Sequence, residues 1–280
     1  MKKWHELELE YAKKLRACPS NERRKMYEEA YRVVSESAMS EMPNEVEKRT
    51  AGTSLNLVNL LIRLCHSTDC ILEVGCGRGY TCLKLAPHVK SIVGLDVSRP
   101  ALDEARELII AKRVNNVSLL LGSADELICH FESRKFDKVI SIDVYEHLAP
   151  EDAMQHISQV YSILKPKGRL IIVTPNRLTG PHDITRELFP DAQKALGFHL
   201  NETTCGGLLG QMKTVGFAKF YSVLPLSFKL RIPLDIIYPA DIFVLIEKLF
   251  PKVGSNSPFT RFVRMFSSII LIAEKSQQKM

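Results

Sequence analysis

The chain has no Cys-x-x-Cys spacing and no long apolar run, and each absence removes a class of protein. The seven cysteines, at 18, 65, 70, 76, 82, 129 and 205, are odd in number and never two residues apart. That speaks against a disulfide framework or a zinc knuckle and for reduced thiols. No apolar stretch approaches the roughly 20 residues a membrane-spanning helix needs. The opening MKKWHELELEYAKK alternates charge and lacks an apolar centre, so no signal peptide is expected and the expected setting is cytoplasmic. Neither sign of charge dominates. The net charge of +6 permits an anionic partner without demanding one.

What is present is an ordinary globular composition, 45% hydrophobic and 25% charged over 280 residues, which suits one large domain with additions. Residues 1–66 read as a helical cap. In NERRKMYEEAYRVVSES the apolar Met26, Ala30, Val33 and Val34 recur at helical spacing, with Asn21 as the expected N-cap. TSLNLVNLLIRLC (53–65) is a third, more apolar helix. Within residues 1–50, eleven Lys and Arg face ten Asp and Glu, a solvated face rather than a nucleic-acid arm.

From residue 67 to 224 the pattern changes. CILEV (70–74), SIVGLD (91–96), VSLLLG (117–122), KVISID (138–143) and RLIIVT (169–174) are short, nearly continuous apolar runs separated by helical patterns. One such pattern is SRPALDEARELIIAKRV, with Ser98 as cap and Pro100 in the first turn. Strands buried on both faces and alternating with helices predict an α/β fold, a doubly wound and mostly parallel sheet flanked by helices. FAKFYSVL (217–224) and SSIILIAEK (267–275) bring the expected strands to seven, the last lying in a tail segment, 266–280. An insertion, 225–265, separates those two. In it LSFKLRIPLDII (226–237) alternates with period two, and DIFVLIEKLF (241–250) has helical spacing with Asp241 as the expected cap.

LEVGCGRGY sets Gly75, Gly77 and Gly79 directly after the first strand, where glycine lets the chain turn sharply and lets a ligand approach the backbone. The third glycine comes one residue too early for the dinucleotide fingerprint, although a flavin or nicotinamide domain remains an alternative for such a loop. Glu73 precedes the first glycine, and Asp96 ends the next strand, a place suited to a ribose diol.

This E-x-G-x-G-x-G pattern with a later strand-end acid resembles motif I of the class I S-adenosylmethionine (SAM)-dependent methyltransferases, and the resemblance continues through most of 70–220. LKPKGRLIIVTPNR (164–177) is similar to the family's LKPGG turn and fifth strand, with Lys167 where glycine is usual. The resemblance implies SAM as cofactor. The Gly75–Gly79 loop, Cys76 included, would wrap its methionine part, with Glu73 at the base and Asp96 and the adjoining Val97 at the ribose. GSADEL (122–127) looks like the adenine segment, with Ser123 where the family often has Asp, leaving Ala124 and Asp125 as supports.

Methyl transfer from a sulfonium is an in-line displacement whose leaving group is already activated, so alignment dominates and an oxygen acceptor additionally needs a base or a metal. DVYEHL (143–148) follows strand four, at the edge where such sheets bind ligands. Asp143 is therefore expected to line the cofactor pocket. Glu146 and His147 can be read as local hydrogen-bonding groups, or His147 as a base or substrate contact. A third reading takes Asp143, Glu146 and His147 as ligands of a divalent metal. Their D-x-x-E-H spacing resembles the E-x-x-E-H of the ubiquinone-biosynthesis O-methyltransferases and of the small-RNA 3′-terminal 2′-O-methyltransferases. Asp is one methylene shorter than the matching Glu, so no metal is expected. His182, beside a Gly-Pro turn in TPNRLTGPHD, and His199, in GFHLNE, are further catalytic candidates.

In 226–265 six Lys and Arg face three Asp and Glu, beside Leu226, Phe228, Leu230, Ile232, Ile242, Leu245, Ile246, Leu249 and Phe250. A lid, packing on the core, a homodimer surface and a peripheral membrane contact all suit such an insert. The expected activity is transfer of the SAM methyl to a small-molecule acceptor, with oxygen favoured. The alternatives are methylation of an RNA terminus and a non-catalytic SAM-binding regulatory subunit. The chain lacks the interleaved basic and aromatic platform of a nucleic-acid binder, so nucleic acid is not the expected partner.

Overall fold

A computed structural model describes residues 2–41, 55–223, 237–249 and 267–277. Two long helices come first, α1 (Lys3–Ala17) and α2 (Ser20–Glu41), followed by α3 (Leu55–Leu64). Then β1 (Cys70–Val74), α4 (Tyr80–Leu85), β2 (Ser91–Asp96), α5 (Arg99–Ala111), β3 (Val117–Leu121), β4 (Phe136–Ile142), α6 (Pro150–Ile163) and β5 (Leu164–Pro175) alternate. The chain continues through α7 (Cys205–Val215), β6 (Phe217–Val223), β7 (Ile237–Pro239), α8 (Ala240–Leu249) and β8 (Ser268–Lys275).

The strands form one sheet in the order β3-β2-β1-β4-β5-β8-β6-β7. β1 to β5 run parallel, while β8 pairs antiparallel with both β5 and β6. The expected mostly parallel sheet is present. It gains an eighth, three-residue strand, β7, which comes from the insertion and pairs antiparallel with β6. The rest of the alternating segment 226–237 lies outside the described residues.

The continuous apolar runs follow from burial on both faces. Leu72, Leu170, Ile172 and Leu271 point into one core, while Ile71, Ile171, Val173 and Ile270 point into the other. Each fully buried side chain of this kind contributes about 1.5–3 kcal/mol, so alternation of polar and apolar residues would be costly here. Local chemistry sets several turns. Ser98 caps α5 by accepting from the Ala101 N–H, as its position suggests. Lys167 has φ 62°, the left-handed region glycine tolerates best, which accounts for a glycine being usual at that position.

Two cap assignments shift. α2 begins at Ser20, so Asn21 lies inside its first turn, and α8 begins at Ala240, so Asp241 does likewise. Hydrophobic periodicity does not separate adjacent polar residues at a helix start, and a one-residue offset is ordinary.

The N-terminal helices share a core with the sheet: Trp4, Leu15, Tyr27 and Ala30 pack in the same cluster as Leu72 and Val139. A buried ion pair fastens them. Arg23, 4% exposed, meets Asp152 of α6 at 2.8 Å and Glu151 at 2.6 Å. The Tyr27 hydroxyl donates to Asp152 at 3.2 Å and accepts from the Ala149 N–H at 2.8 Å. On the other side, Glu247 of α8 accepts from the Cys205 and Gly206 N–H groups at the start of α7 and from Asn176 after β5.

Candidate active site

The strand order reverses between β1 and β4, and in sheets of this kind the crevice at that switch point is where ligands bind. The glycine loop leaves β1 there, with Gly75, Gly77 and Gly79 at φ 74°, 50° and 72°. At Gly75 space is short as well, since an added Cβ would lie 2.2 Å from Val144 Cγ2.

A cavity of about 270 Å³ opens against the loop. Gly75 and Gly77 line it, as do Asp96 and Val97 after β2 and Ser123 and Ala124 after β3. Asp143 and His147 complete the side after β4. Asp96 accepts from the Gly77 N–H at 2.7 Å and the Ser98 N–H at 2.8 Å. Burial raises its pKa and these backbone donors oppose the rise. Asp143 lies one residue beyond β4 rather than at its end, and its φ of 51° puts a non-glycine residue in the left-handed region. Such conformations are held by their surroundings and concentrate at functional sites.

Glu73, Cys76 and Gly79 are not among the residues lining the cavity; they brace the loop from beneath. Glu73 is 3% exposed, and the Cys82 thiol donates to it at 2.8 Å. Burial pushes its pKa up to about 7. Cys76 is buried, and an added Cβ on Gly94 would meet its sulfur at 2.8 Å, so a small side chain is required between loop and strand. The Ser123 hydroxyl donates to the Asp125 carboxylate, which does not line the cavity, and His156 of α6 donates through Nδ1 to the Ala124 carbonyl at 2.9 Å. The 122–127 segment is thus oriented from behind.

Beside the cavity the histidines divide. His147 Nδ1 lies 3.2 Å from the Phe198 carbonyl; a carbonyl only accepts, so Nδ1 carries the proton and Nε2 keeps its lone pair. Burial, reinforced by His199, lowers the His147 pKa to about 3, so the ring is neutral. His199 packs edge-on against His147 with ring centroids 4.9 Å apart, and its Nδ1 meets Glu202 at 2.8 Å. Burial opposes its charging, but the Glu202 bond and the nearby Glu146 outweigh that and raise its pKa. Glu146, 1% exposed, accepts from the Thr174 hydroxyl at 2.9 Å, and burial with the adjacent Asp143 pushes it up to about 8.

Among the described residues, Glu146, His147 and His199 offer ligand atoms all within 4.8 Å of one another. The alternative metal reading grouped Asp143 with Glu146 and His147; the ligand atoms brought together are instead those of Glu146, His147 and His199, 52 residues along the chain from His147, while Asp143 lines the cavity. His182 stands apart from the cavity. Its Nε2 is engaged 3.0 Å from both the Asn176 carbonyl and the Thr179 hydroxyl, and its backbone N–H donates to Glu202 at 2.7 Å. It is engaged within its own loop and does not line the cavity.

Residues 71–168 match a sequence family described as a methyltransferase domain. A probable S-adenosylmethionine-dependent methyltransferase of Mycolicibacterium smegmatis is 31% identical over 157 residues, covering 56% of this chain and 54% of that protein. Residues 71–168 thus carry a methyltransferase domain. A ubiquinone biosynthesis O-methyltransferase of Bartonella tribocorum is similar to this domain at 32% identity over 107 residues, 38% of this chain and 41% of that one. The chain thus spans about half the length of these relatives. The crystal structure of YcgJ from Bacillus subtilis shares the fold, with a TM-score of 0.53 and 18% identity over 79% of this chain and 98% of that one.

Residues that motif reading passes over also line the cavity. Tyr27, Tyr31 and Ser35 of α2 line the same cavity. The Tyr31 ring lies 5.9 Å from that of His147 and 5.2 Å from that of Phe198, centroid to centroid. The three cap residues recur at i, i+4 and i+8, one helical face, and this spacing was the available signal. It is masked by the charged residues between them.

Proposed function

We propose that the chain transfers the sulfonium methyl of SAM to a hydroxyl oxygen of a small-molecule acceptor. The observation that carries this reading is a neutral His147 lining the cofactor cavity, its tautomer fixed by the Phe198 carbonyl so that Nε2 is free to accept. In this account the glycine loop and Asp96 hold the cofactor, and Tyr31 with His147 walls the acceptor side. An acceptor hydroxyl donates to His147 Nε2, which turns an oxygen lone pair toward the methyl carbon. SAM bound there would supply the methyl and keep the C–S electron pair as it leaves, and the alkylated acceptor oxygen would be a far stronger acid than the original hydroxyl. A base with a pKa of about 3 suffices to take that proton late in the reaction. S-adenosylhomocysteine and the methyl ether are the products.

A second reading is favoured by the convergence of Glu146, His147 and His199. One carboxylate and two imidazoles suit a divalent transition metal, and the Glu202 contact to His199 and the Phe198 contact to His147 are the outer-shell partners such ligands usually have. A metal held there would lower the pKa of the acceptor hydroxyl. Peripheral membrane contact or dimerisation through 225–265 is supported by the exposed Ile237, Ile242, Leu245 and Leu249; among the described residues no helix is long and apolar enough to cross a membrane.

The test is transfer of a radiolabelled methyl from SAM to a panel of phenols, aliphatic alcohols, amines and a short oligoribonucleotide. Label in a hydroxyl compound, with His147→Asn lowering kcat by about 10²-fold or more at unchanged S-adenosylhomocysteine affinity, is the expected result. Label confined to RNA or amines refutes the acceptor assignment. Cofactor binding without transfer to any of them supports a regulatory subunit instead. Loss of activity on chelation, restored by metal, selects the second reading, and liposome flotation tests the membrane contact.

A further inference from the structure

The loop Ala195–His199 carries both groups that act on the reactive histidine pair: the Phe198 carbonyl, which fixes His147, and the His199 ring itself. It has no regular secondary structure, so something other than a backbone ladder must set its peptide orientations. The side chains of α1 do so. The Arg16 guanidinium donates to the carbonyls of Ala195 at 3.1 Å, Leu196 at 3.0 Å and Gly197 at 2.9 Å, and reaches that of His199 at 3.4 Å. Of the five carbonyls in this stretch, the one Arg16 does not take is that of Phe198, and it faces His147. On the donor side, Glu8 of the same helix accepts from the Phe198 N–H at 3.1 Å. Thr185 takes the Leu196 N–H at 2.6 Å. Gly197 leaves no room for a side chain, since an added Cβ would lie 2.4 Å from Glu8 Oε1.

We infer that Arg16 and Glu8 are positioning residues for methyl transfer: by gathering the neighbouring carbonyls and the Phe198 N–H, they turn the Phe198 carbonyl onto His147 and set its tautomer. The planar guanidinium is suited to this because its fixed fork of donors can serve several acceptors at once, which an ammonium cannot reproduce. Neither residue touches the cofactor cavity, so their effect passes wholly through the loop. A helix at the start of the chain thereby governs a ring more than 130 residues later.

This inference rests on the reading of His147 as the acceptor-orienting group, and two separate readouts keep the two apart. The first is long-range ¹H–¹⁵N NMR of the histidine side chains in the full chain bound to S-adenosylhomocysteine. Wild type is expected to show His147 as the Nδ1–H tautomer. Arg16→Met is expected to shift it to Nε2–H or a mixture, with Arg16→Lys intermediate and calorimetric affinity for S-adenosylhomocysteine within about twofold of wild type. Glu8→Ala should resemble Arg16→Met, whereas Glu8→Gln, whose amide oxygen still accepts from Phe198, should restore the wild-type spectrum. This pair also serves if Arg16→Met does not fold. The second readout is kcat with SAM and the accepting hydroxyl compound, expected to fall at least tenfold in Arg16→Met and Glu8→Ala with little change in KM for SAM. An unchanged His147 tautomer in Arg16→Met or Glu8→Ala protein that binds S-adenosylhomocysteine normally overturns the inference. A changed tautomer with unchanged kcat leaves the positioning intact and overturns the role of His147.

Discussion

Replacing Gly75 and Gly77 separately by alanine divides backbone strain from steric crowding within one loop. Both residues have positive φ, 74° and 50°, a region that costs an L-residue about 1–2 kcal/mol. Their surroundings differ. The new methyl at 75 would fall 2.2 Å from Val144 Cγ2, well inside contact distance, while at 77 no heavy atom lies within 4 Å. Val144 belongs to the turn after β4 that also presents Asp143, so moving aside disturbs the site itself, and forced overpacking of this kind adds about 1–3 kcal/mol. Gly75→Ala should therefore lose about 2–5 kcal/mol of stability and Gly77→Ala about 1–2 kcal/mol. Urea unfolding followed by far-ultraviolet dichroism, with linear extrapolation at matched m-values, measures both. Gly77 nevertheless lines the cavity, so its variant should lose affinity for S-adenosylhomocysteine out of proportion to its stability. If Gly77→Ala proves as destabilising as Gly75→Ala, or Gly75→Ala costs under about 1 kcal/mol, the steric reasoning is wrong.

Two further outcomes follow from buried charges. Asp152→Ala removes the buried partner of the Arg23 guanidinium and of the Tyr27 hydroxyl, leaving the exposed Glu151 and the Cys18 carbonyl on Arg23, and should destabilise the protein by about 1.5–3 kcal/mol in the same urea assay; a loss below about 0.5 kcal/mol would show that the cap is not fastened there. Glu73 holds its proton up to about pH 7 in the folded protein, against 4.5 for a free glutamic acid. A carboxyl raised in this way contributes stability that is complete below pH 4.5 and lost as pH rises through 7, on the order of 3 kcal/mol. Comparing unfolding at pH 5 and pH 8 should show that decline in wild type and a clear flattening in Glu73→Gln; parallel declines in the two proteins would remove Glu73 as its source.

The parts of this molecule legible in its sequence are those where local pattern and tertiary role coincide. SIVGLD names β2 to the residue because both of its faces are buried and its ends meet turns. Gly75 and Gly77 could be placed against the cavity because backbone geometry there tolerates little else, and Asp96 because it ends β2, the strand beside β1. His199 and Glu202 were harder. Their partnership with Glu146 and His147 is made by a loop whose shape comes from α1, nearly two hundred residues earlier, and no local periodicity encodes such a contact. The same distance effect hid Tyr31, whose position on α2 reads as one more residue of a charged helix. His182 shows the opposite case: a histidine beside a turn can be placed in a loop from sequence, but not the direction of its ring, which here bonds the Asn176 carbonyl of its own loop.

The central claim is that the cavity between the glycine loop, Asp96 and the N-terminal cap holds the methyl donor. Isothermal calorimetry of the full chain with S-adenosylhomocysteine, alongside NAD as the competing ligand class, tests it most directly. Wild type is predicted to bind S-adenosylhomocysteine and not NAD. Asp96→Ala is predicted to weaken that binding on the order of 10²-fold, since hydrogen bonds from a ribose to an ionised carboxylate contribute about 1.5–3 kcal/mol. Binding of NAD in its place, or an Asp96→Ala protein that holds S-adenosylhomocysteine as tightly as wild type, would contradict the account.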